Sequence, residues 1–427
     1  MRAGATPSGT DSAHLTTAAL PLRDLAPVLV VWLVLAFLPL GRVSELPLLV
    51  GAIWGVVLVA RQGRDTLTMP GVRLALMLFA CYWLPALISA IDAVEPGKTW
   101  TQVAAQLRYA PFAVFVAATL KSDAQWAWLL RATALLVLVW VLDAWVQSIT
   151  GSSLGGAMDS DRISGIFGAD NLKLGGVLAV LSPLLLACAQ QRWGLRGFFI
   201  AALLLAGAIL LAGARAAWLV YALVLVGWCV KPFAGRVRHA LVLLVVLIGA
   251  GAALGYAVYR LSPSFAERMD RTLHLASGTT RDVDHALAGR LPIWRTAAVM
   301  AQAHPVNGVG VRGFRHAYGQ YAAVDDPWRV QGGALHPHQV VLEVIAETGI
   351  VGLLAWLLAG LLFVRAVSRA DPSSRARAWP MTLALAVMCF PLNTHYAFYS
   401  SWWGLFFWWV VAVAVAVTHF PRSGRRA

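Results

Sequence analysis

Charge is scarce in this sequence. Only 13% of its 427 residues are Asp, Glu, Lys or Arg, against about 25% in soluble domains. Hydrophobic residues make up 59%, and the mean hydropathy is +0.70. These figures exclude an ordinary water-soluble globule and point to a polytopic membrane protein. Cysteine is nearly missing: Cys81, Cys188, Cys229 and Cys389 each fall inside an apolar run, which argues against a disulfide framework or a thiolate metal site. Acidic residues are few, 20 against 34 Lys and Arg, for a net charge of +14. The basic residues sit between apolar runs, so they need no nucleic acid to explain them. There is no phosphate-binding Gly loop and no His-Glu-x-x-His pattern. Internal repeats and low-complexity tracts are also missing.

A bilayer core of about 30 Å takes roughly 20 apolar residues per helix. Twelve stretches qualify: 25–41, 46–61, 74–92, 106–121, 125–148, 173–190, 196–212, 215–231, 239–258, 347–367, 379–396 and 401–418. The fold expected is an all-α integral membrane protein with about twelve transmembrane helices. Residues 1–22 are polar and hold no apolar core with a cleavage site, so no cleaved signal peptide is expected. Lys and Arg in the short loops orient the chain. With the N-terminus inside, the inner loops and tails carry 18 (Arg2, Arg23, Arg61, Arg64, Arg73, Lys121, Arg192, Arg196, Lys231, Arg236, Arg238, Arg365, Arg369, Arg375, Arg377, Arg422, Arg425, Arg426). The short outer loops carry 6 (Arg42, Lys98, Arg108, Arg162, Lys173, Arg215). The domains expected are a cytoplasmic segment 1–24, nine spans over 25–258, a large outer loop 259–346, three spans over 347–418 and a basic cytoplasmic tail 419–427.

The outer loop holds nine Arg, no Lys and six of the ten His (His274, His285, His304, His316, His336, His338). A loop this long is functional or disordered. Helical patterning, for example over 286–303, marks it as a folded subdomain.

Several residues there and at the outer boundary have chemical potential. Arg215, in Gly213-Ala214-Arg215, sits in a turn between apolar helices. It is either a snorkelling anchor or a clamp for an anion, since Arg grips phosphate bidentately. Gly289-Arg290, followed by Trp294, begins an amphipathic helix; Arg290 is either a solvated loop residue or a second clamp. His338, in His336-Pro337-His338-Gln339, is either structural or a general base. The two His suggest a metal, but Glu343 and Glu347 are the nearby carboxylates and no third ligand is evident, so no metal is expected. Asp159-Ser160-Asp161 looks like the Asp-x-Asp of sugar-nucleotide transferases, yet it falls outside, and a solvated turn is the better reading. Asp325-Asp326 also reads as a solvated turn.

In order, five motifs are similar to those of the O-antigen ligase / O-antigen polymerase superfamily of bacterial envelope glycosyltransferases. They are Arg162-x-x-Gly165-x-Phe167-x-x-x-Asn171, Ala214-Arg215-x-Ala217-Trp218, Gly289-Arg290-x-x-x-Trp294, Pro305-x-x-Gly308-x-Gly310-x-x-x-Phe314, and His338-x-x-x-Leu342-x-x-x-x-Glu347-x-Gly349-x-x-Gly352. One departure is Gln339, where the family often has Asn or Ser. His336 competes with His338 for the role of base, but only His338 has the family's spacing to Glu347 and Gly349. The first 150 residues carry no usable motif.

The resemblance implies a multi-pass enzyme of the bacterial inner membrane with its active site facing the periplasm. It implies transfer of O-antigen from an undecaprenyl-diphosphate donor to a lipid A–core acceptor, without cofactor. On this reading Arg215 and Arg290, with Arg162 as a third contact, hold the diphosphate. His338 is the catalytic base, and Trp294, Gly289, His336 and Glu347 support the site. Polymerase and protein O-oligosaccharyltransferase branches share these motifs. A lipid or solute transporter is the rival from another class, but transporters place ionisable residues near the membrane midplane, whereas here they gather outside.

Overall fold

The computed structural model describes residues 20–158, 162–169, 171–230, 237–261, 265–267, 269–270, 287, 289–394 and 396–420. Outside these lie residues 1–19 of the N-terminal segment, Asp159–Asp161, Lys231 and Arg236, part of the expected outer loop with His274 and His285, and residues 421–427 of the basic tail.

Among the described residues the regular structure is helical, apart from one small hairpin of β1 (Ser152–Ser153) and β2 (Gly156–Ala157). In chain order the helices are α1 (Leu22–Ala36), α2 (Glu45–Gln62), α3 (Arg64–Thr68), α4 (Pro70–Ser89), α5 (Pro96–Gln106), α6 (Tyr109–Thr119), α7 (Asp123–Thr150), α8 (Lys173–Leu211), α9 (Arg215–Val230) and α10 (Val237–Leu261). Further along the chain come α11 (Leu291–Ala303), α12 (Phe314–Tyr321), α13 (Pro327–Val330), α14 (Val340–Arg369), α15 (Pro372–Met388) and α16 (Ser401–Thr418).

Among the described residues, seven segments are long and apolar enough to cross a bilayer: 38–62, α4, α7, α8, 241–260, α14 and α16. The multi-pass helical architecture expected from composition is thus present. The expected spans 25–41, 106–121, 215–231 and 379–396 correspond to the shorter helices α1, α6, α9 and α15. The expected pair 173–190 and 196–212 is α8, broken at Gly194 (φ 61°, ψ −148°).

The apolar composition of α16 continues all round the helix, so it belongs in the interior. Indeed 83% of its span is buried, against 11% for α14, which stands at the edge. Packing between apolar helices in lipid rests on close contact rather than water exclusion. At Gly55 of α2 an added Cβ would lie 2.0 Å from the Pro111 carbonyl oxygen, so α2 and α6 approach only because that position is glycine. Buried indoles need acceptors, and carbonyls of facing segments supply them: Trp409 donates to Val31 O (2.8 Å), Trp145 to Leu204 O (3.1 Å).

Helix α14 carries the feature that shapes the site. It breaks at Gly349 (φ 61°, ψ −160°), where a Cβ would sit 2.2 Å from Val306 O. The break frees donors that the preceding loop accepts: Ile350 N–H goes to Pro305 O (2.9 Å) and Val351 N–H to Val306 O (3.2 Å). Val309 and Gly310 return the pairing by donating to Ala346 O and Glu347 O at 2.9 and 3.1 Å. The Pro305–Phe314 and His338–Gly352 motifs are therefore two halves of one joint. Around it Ile293, Met300, Phe314, Tyr318 and Ala346 form a small apolar core apart from the membrane bundle.

Two expectations need correction. Asp326 is buried, not solvated: it accepts from Trp328 N–H (2.8 Å), Tyr318 O–H (2.9 Å) and Thr296 O–H (3.4 Å) and so ties α11, α12 and α13 together. Helix α15 ends at Met388, short of residue 396. Its polar successors Asn393 and Thr394, after Pro391, form a loop that returns towards the site.

Candidate active site

Gly289 has φ +70°, and its carbonyl accepts the Trp328 indole N–H at 2.6 Å. That turn delivers Arg290 to the N-cap of α11, with Pro292 in the first turn where its missing N–H costs nothing. Trp294, one turn on, donates its indole N–H to Pro337 O at 3.0 Å. The start of α11 is thereby fastened to the His336-Pro337-His338 turn.

His338 has φ +54°, unusual for a residue with a Cβ. The strain is held by a hydrogen bond from its own N–H to His336 Nδ1 (3.2 Å), with the two rings 3.8 Å apart. Gln339, the departure from the family pattern, caps α14 by accepting from Leu342 N–H. It does the work a shorter Asn or Ser does at an N-cap.

The His338 ring meets Thr394. Its Nδ1 lies 3.0 Å from the Thr394 carbonyl oxygen. A carbonyl only accepts, so Nδ1 carries the proton and Nε2 keeps its lone pair. His336 is arranged the other way: its Nδ1 lone pair is occupied by the His338 N–H, and Glu343 Oε2 stands 3.9 Å off. This distinguishes the two imidazoles. Thr394 also accepts Arg290 Nη1–H on its hydroxyl oxygen at 2.7 Å. One residue therefore touches both Arg290 and His338.

Electrostatics agree with this convergence. Burial, and then the Arg290 charge, push the His338 pKa down to about 4; the Thr394 carbonyl opposes them. Burial lowers His336 well below its ordinary value, followed by His338, Arg312, Arg290 and Arg315. Both rings are neutral at pH 7. Arg290 is itself lowered to about 10, chiefly by burial and then by Arg215, which places the Arg215 cation within electrostatic reach. Arg162 is half-buried on a separate turn that Gln147 fixes through the Ser164 and Gly165 N–H groups (2.8 and 2.7 Å). Glu347 is buried and accepts from Arg312 and Phe314 N–H (2.9 and 3.3 Å), which holds the joint at Gly349 rather than facing the imidazole.

The sequence reading missed Thr394, which it placed in a membrane span. The Pro391-Leu392-Asn393-Thr394 run is a turn signal. It also missed Arg312 and Arg315, whose charges act on His336. Beneath the site, an apolar cavity of about 600 Å³ runs between α4, α14, α15 and α16. Tyr82, Gly352, Phe398 and Tyr399 line it near the loop, and Val367 and Ser368 line it farther along α14.

Two cations and a neutral imidazole above an apolar cavity suit an enzyme that acts on an anionic group carried by a lipid. Residues 200–357 match the family model described as O-antigen ligase. Four of the five motifs fall inside that stretch, and the match supports the resemblance to the O-antigen ligase superfamily. That family consists of glycosyltransferase-like membrane enzymes of the ligase/polymerase type, which work on lipid-linked polysaccharides in general. No curated protein matches the chain.

Proposed function

We propose that this protein is an inverting O-antigen ligase of the bacterial inner membrane. Its twelve spans would leave the 259–346 subdomain in the periplasm, where glycan passes from undecaprenyl diphosphate to a sugar hydroxyl of lipid A–core. The observation that carries the reading is the junction at Thr394, where Arg290 and the Nδ1-protonated His338 meet.

The chemistry follows. An acceptor hydroxyl gives its proton to His338 Nε2 while its oxygen attacks the anomeric carbon from the face opposite the diphosphate. The C–O bond to phosphate breaks, and undecaprenyl diphosphate leaves with the electron pair. Charge grows on the departing oxygens, and fixed cations placed there lower the barrier. Arg290 and Arg215 take that role, with Arg162 as a third contact, so no metal is called for. Positioned general-base catalysis contributes about 10²–10⁴ in rate. The apolar cavity below Tyr399 supports a polyprenyl chain entering from the bilayer.

Lipopolysaccharide from a deletion strain tests the assignment. Loss of all O-antigen chains from the core is the result expected. Chains of a single repeat would instead identify a polymerase, and an unchanged ladder would remove the assignment. Turnover by the purified protein should survive excess EDTA. Loss that a divalent ion restores would overturn the metal-free mechanism.

A further inference from the structure

We infer that Thr394 is a positioning residue of the transfer site: its carbonyl orients the His338 imidazole, and its hydroxyl ties that orientation to the Arg290 guanidinium. The inference rests on the function proposed above and extends it to a residue outside the five motifs.

A general base needs a third group to hold its ring in one tautomer. Here the Thr394 carbonyl supplies it, 3.0 Å from Nδ1. When Nε2 takes the acceptor proton, the positive charge spreads to Nδ1–H, and that hydrogen bond strengthens. A carbonyl dipole does this more weakly than a carboxylate. The imidazole therefore stays a poor proton holder and gives the proton up after each turnover.

The loop bearing Thr394 is fastened at both ends. Asn393 donates its side-chain N–H to Val387 O (3.2 Å), at the end of α15. Downstream, Phe398 and Tyr399 donate their N–H groups to the buried Glu343 carboxylate at 3.0 and 3.1 Å. Glu343 sits in the first turns of α14, just after His338. The His338 turn and its orienting carbonyl thus hang from the same piece of helix. Arg290 gives one of its five N–H donors to the Thr394 hydroxyl. A guanidinium held this way cannot drift without moving the carbonyl that aligns the base.

Replacement by Val removes the hydroxyl with little change in shape, and Ser restores it. Thr394→Val should lower kcat by about 10–100-fold, the range for a lost hydrogen bond to a charged group. The donor KM should change by less than about 3-fold, and the acid limb of the pH–rate profile should move down as the carbonyl loosens. Thr394→Ser should recover most of the wild-type rate and profile. In an Arg290→Lys background, Thr394→Val should cost much less than in the wild type, because the link is already broken. If Val destabilises the protein in a melting assay, Thr394→Ala carries the same comparison. Wild-type kcat and acid limb in the Val or Ala variant, or full additivity with Arg290→Lys, would overturn the inference. An active His338→Ala would instead bring down the proposed function, so the two failures are distinguishable.

Discussion

The indole N–H of Trp294 donates to the Pro337 carbonyl oxygen at 3.0 Å, which fastens the helix begun by Arg290 to the turn that carries His338. Two motifs more than forty residues apart meet through this bond and, beyond it, through Thr394. Trp294→Phe keeps most of the ring and loses the donor. One neutral hydrogen bond is worth about 0.5–1.5 kcal/mol, so the melting temperature should fall by a few degrees and turnover several-fold. Unchanged values for both would show that the bond does not align the turn.

Arg290→Lys keeps the cation and loses the planar fork that reaches Thr394 and, in the proposed mechanism, would grip a phosphate oxygen. Losing one fixed donor to developing negative charge costs about 10²–10³ in kcat. The variant should insert into the membrane normally and ligate at that reduced rate. A Lys variant with wild-type turnover would show that charge alone suffices.

The low pKa of His338 has a signed consequence. In the free enzyme the imidazole stays neutral down to about pH 4, so the acid limb of kcat/KM should lie well below the ordinary histidine value of about 6.5. Binding of an anionic donor beside Arg290 raises the pKa, and the acid limb of kcat should lie higher than that of kcat/KM. For stability, the folded protein binds fewer protons than the unfolded chain between about pH 4 and 6.5. Stability is then undiminished above about 6.5 and declines as pH falls through that window. A His338→Gln variant should show a shallower decline in melting temperature from pH 7.5 to 4.5.

Gly349→Ala tests the joint in α14. An Ala there combines a strained φ of +61° with a Cβ 2.2 Å from Val306 O. The combined cost should exceed about 2 kcal/mol, read as a lower melting temperature and greater protease sensitivity of the segment around residues 305–314. Tolerance of Ala without either change would contradict the reading of this turn.

Much of this molecule was legible in its residues, and the limits have physical causes. The apolar runs announced membrane helices because lipid demands internally bonded backbone. The Gly and His motifs fall on turns where positive φ and close approach leave few alternatives. Gly308 and Glu347, each part of a motif, build the joint with α14. Thr394 stayed hidden because its main contribution is a backbone carbonyl, which every residue possesses. Asp326 was misread because a buried acceptor of three donors looks, in sequence, like any acidic turn residue.

Glycan transfer by purified His338→Ala protein, with undecaprenyl-diphosphate-linked glycan and lipid A–core in detergent, tests the catalytic base most directly. Donor binding close to wild type with transfer reduced by at least about 10² is the expected result, in keeping with the loss of a general base. Transfer within a few-fold of wild type would mean that another group takes the acceptor proton.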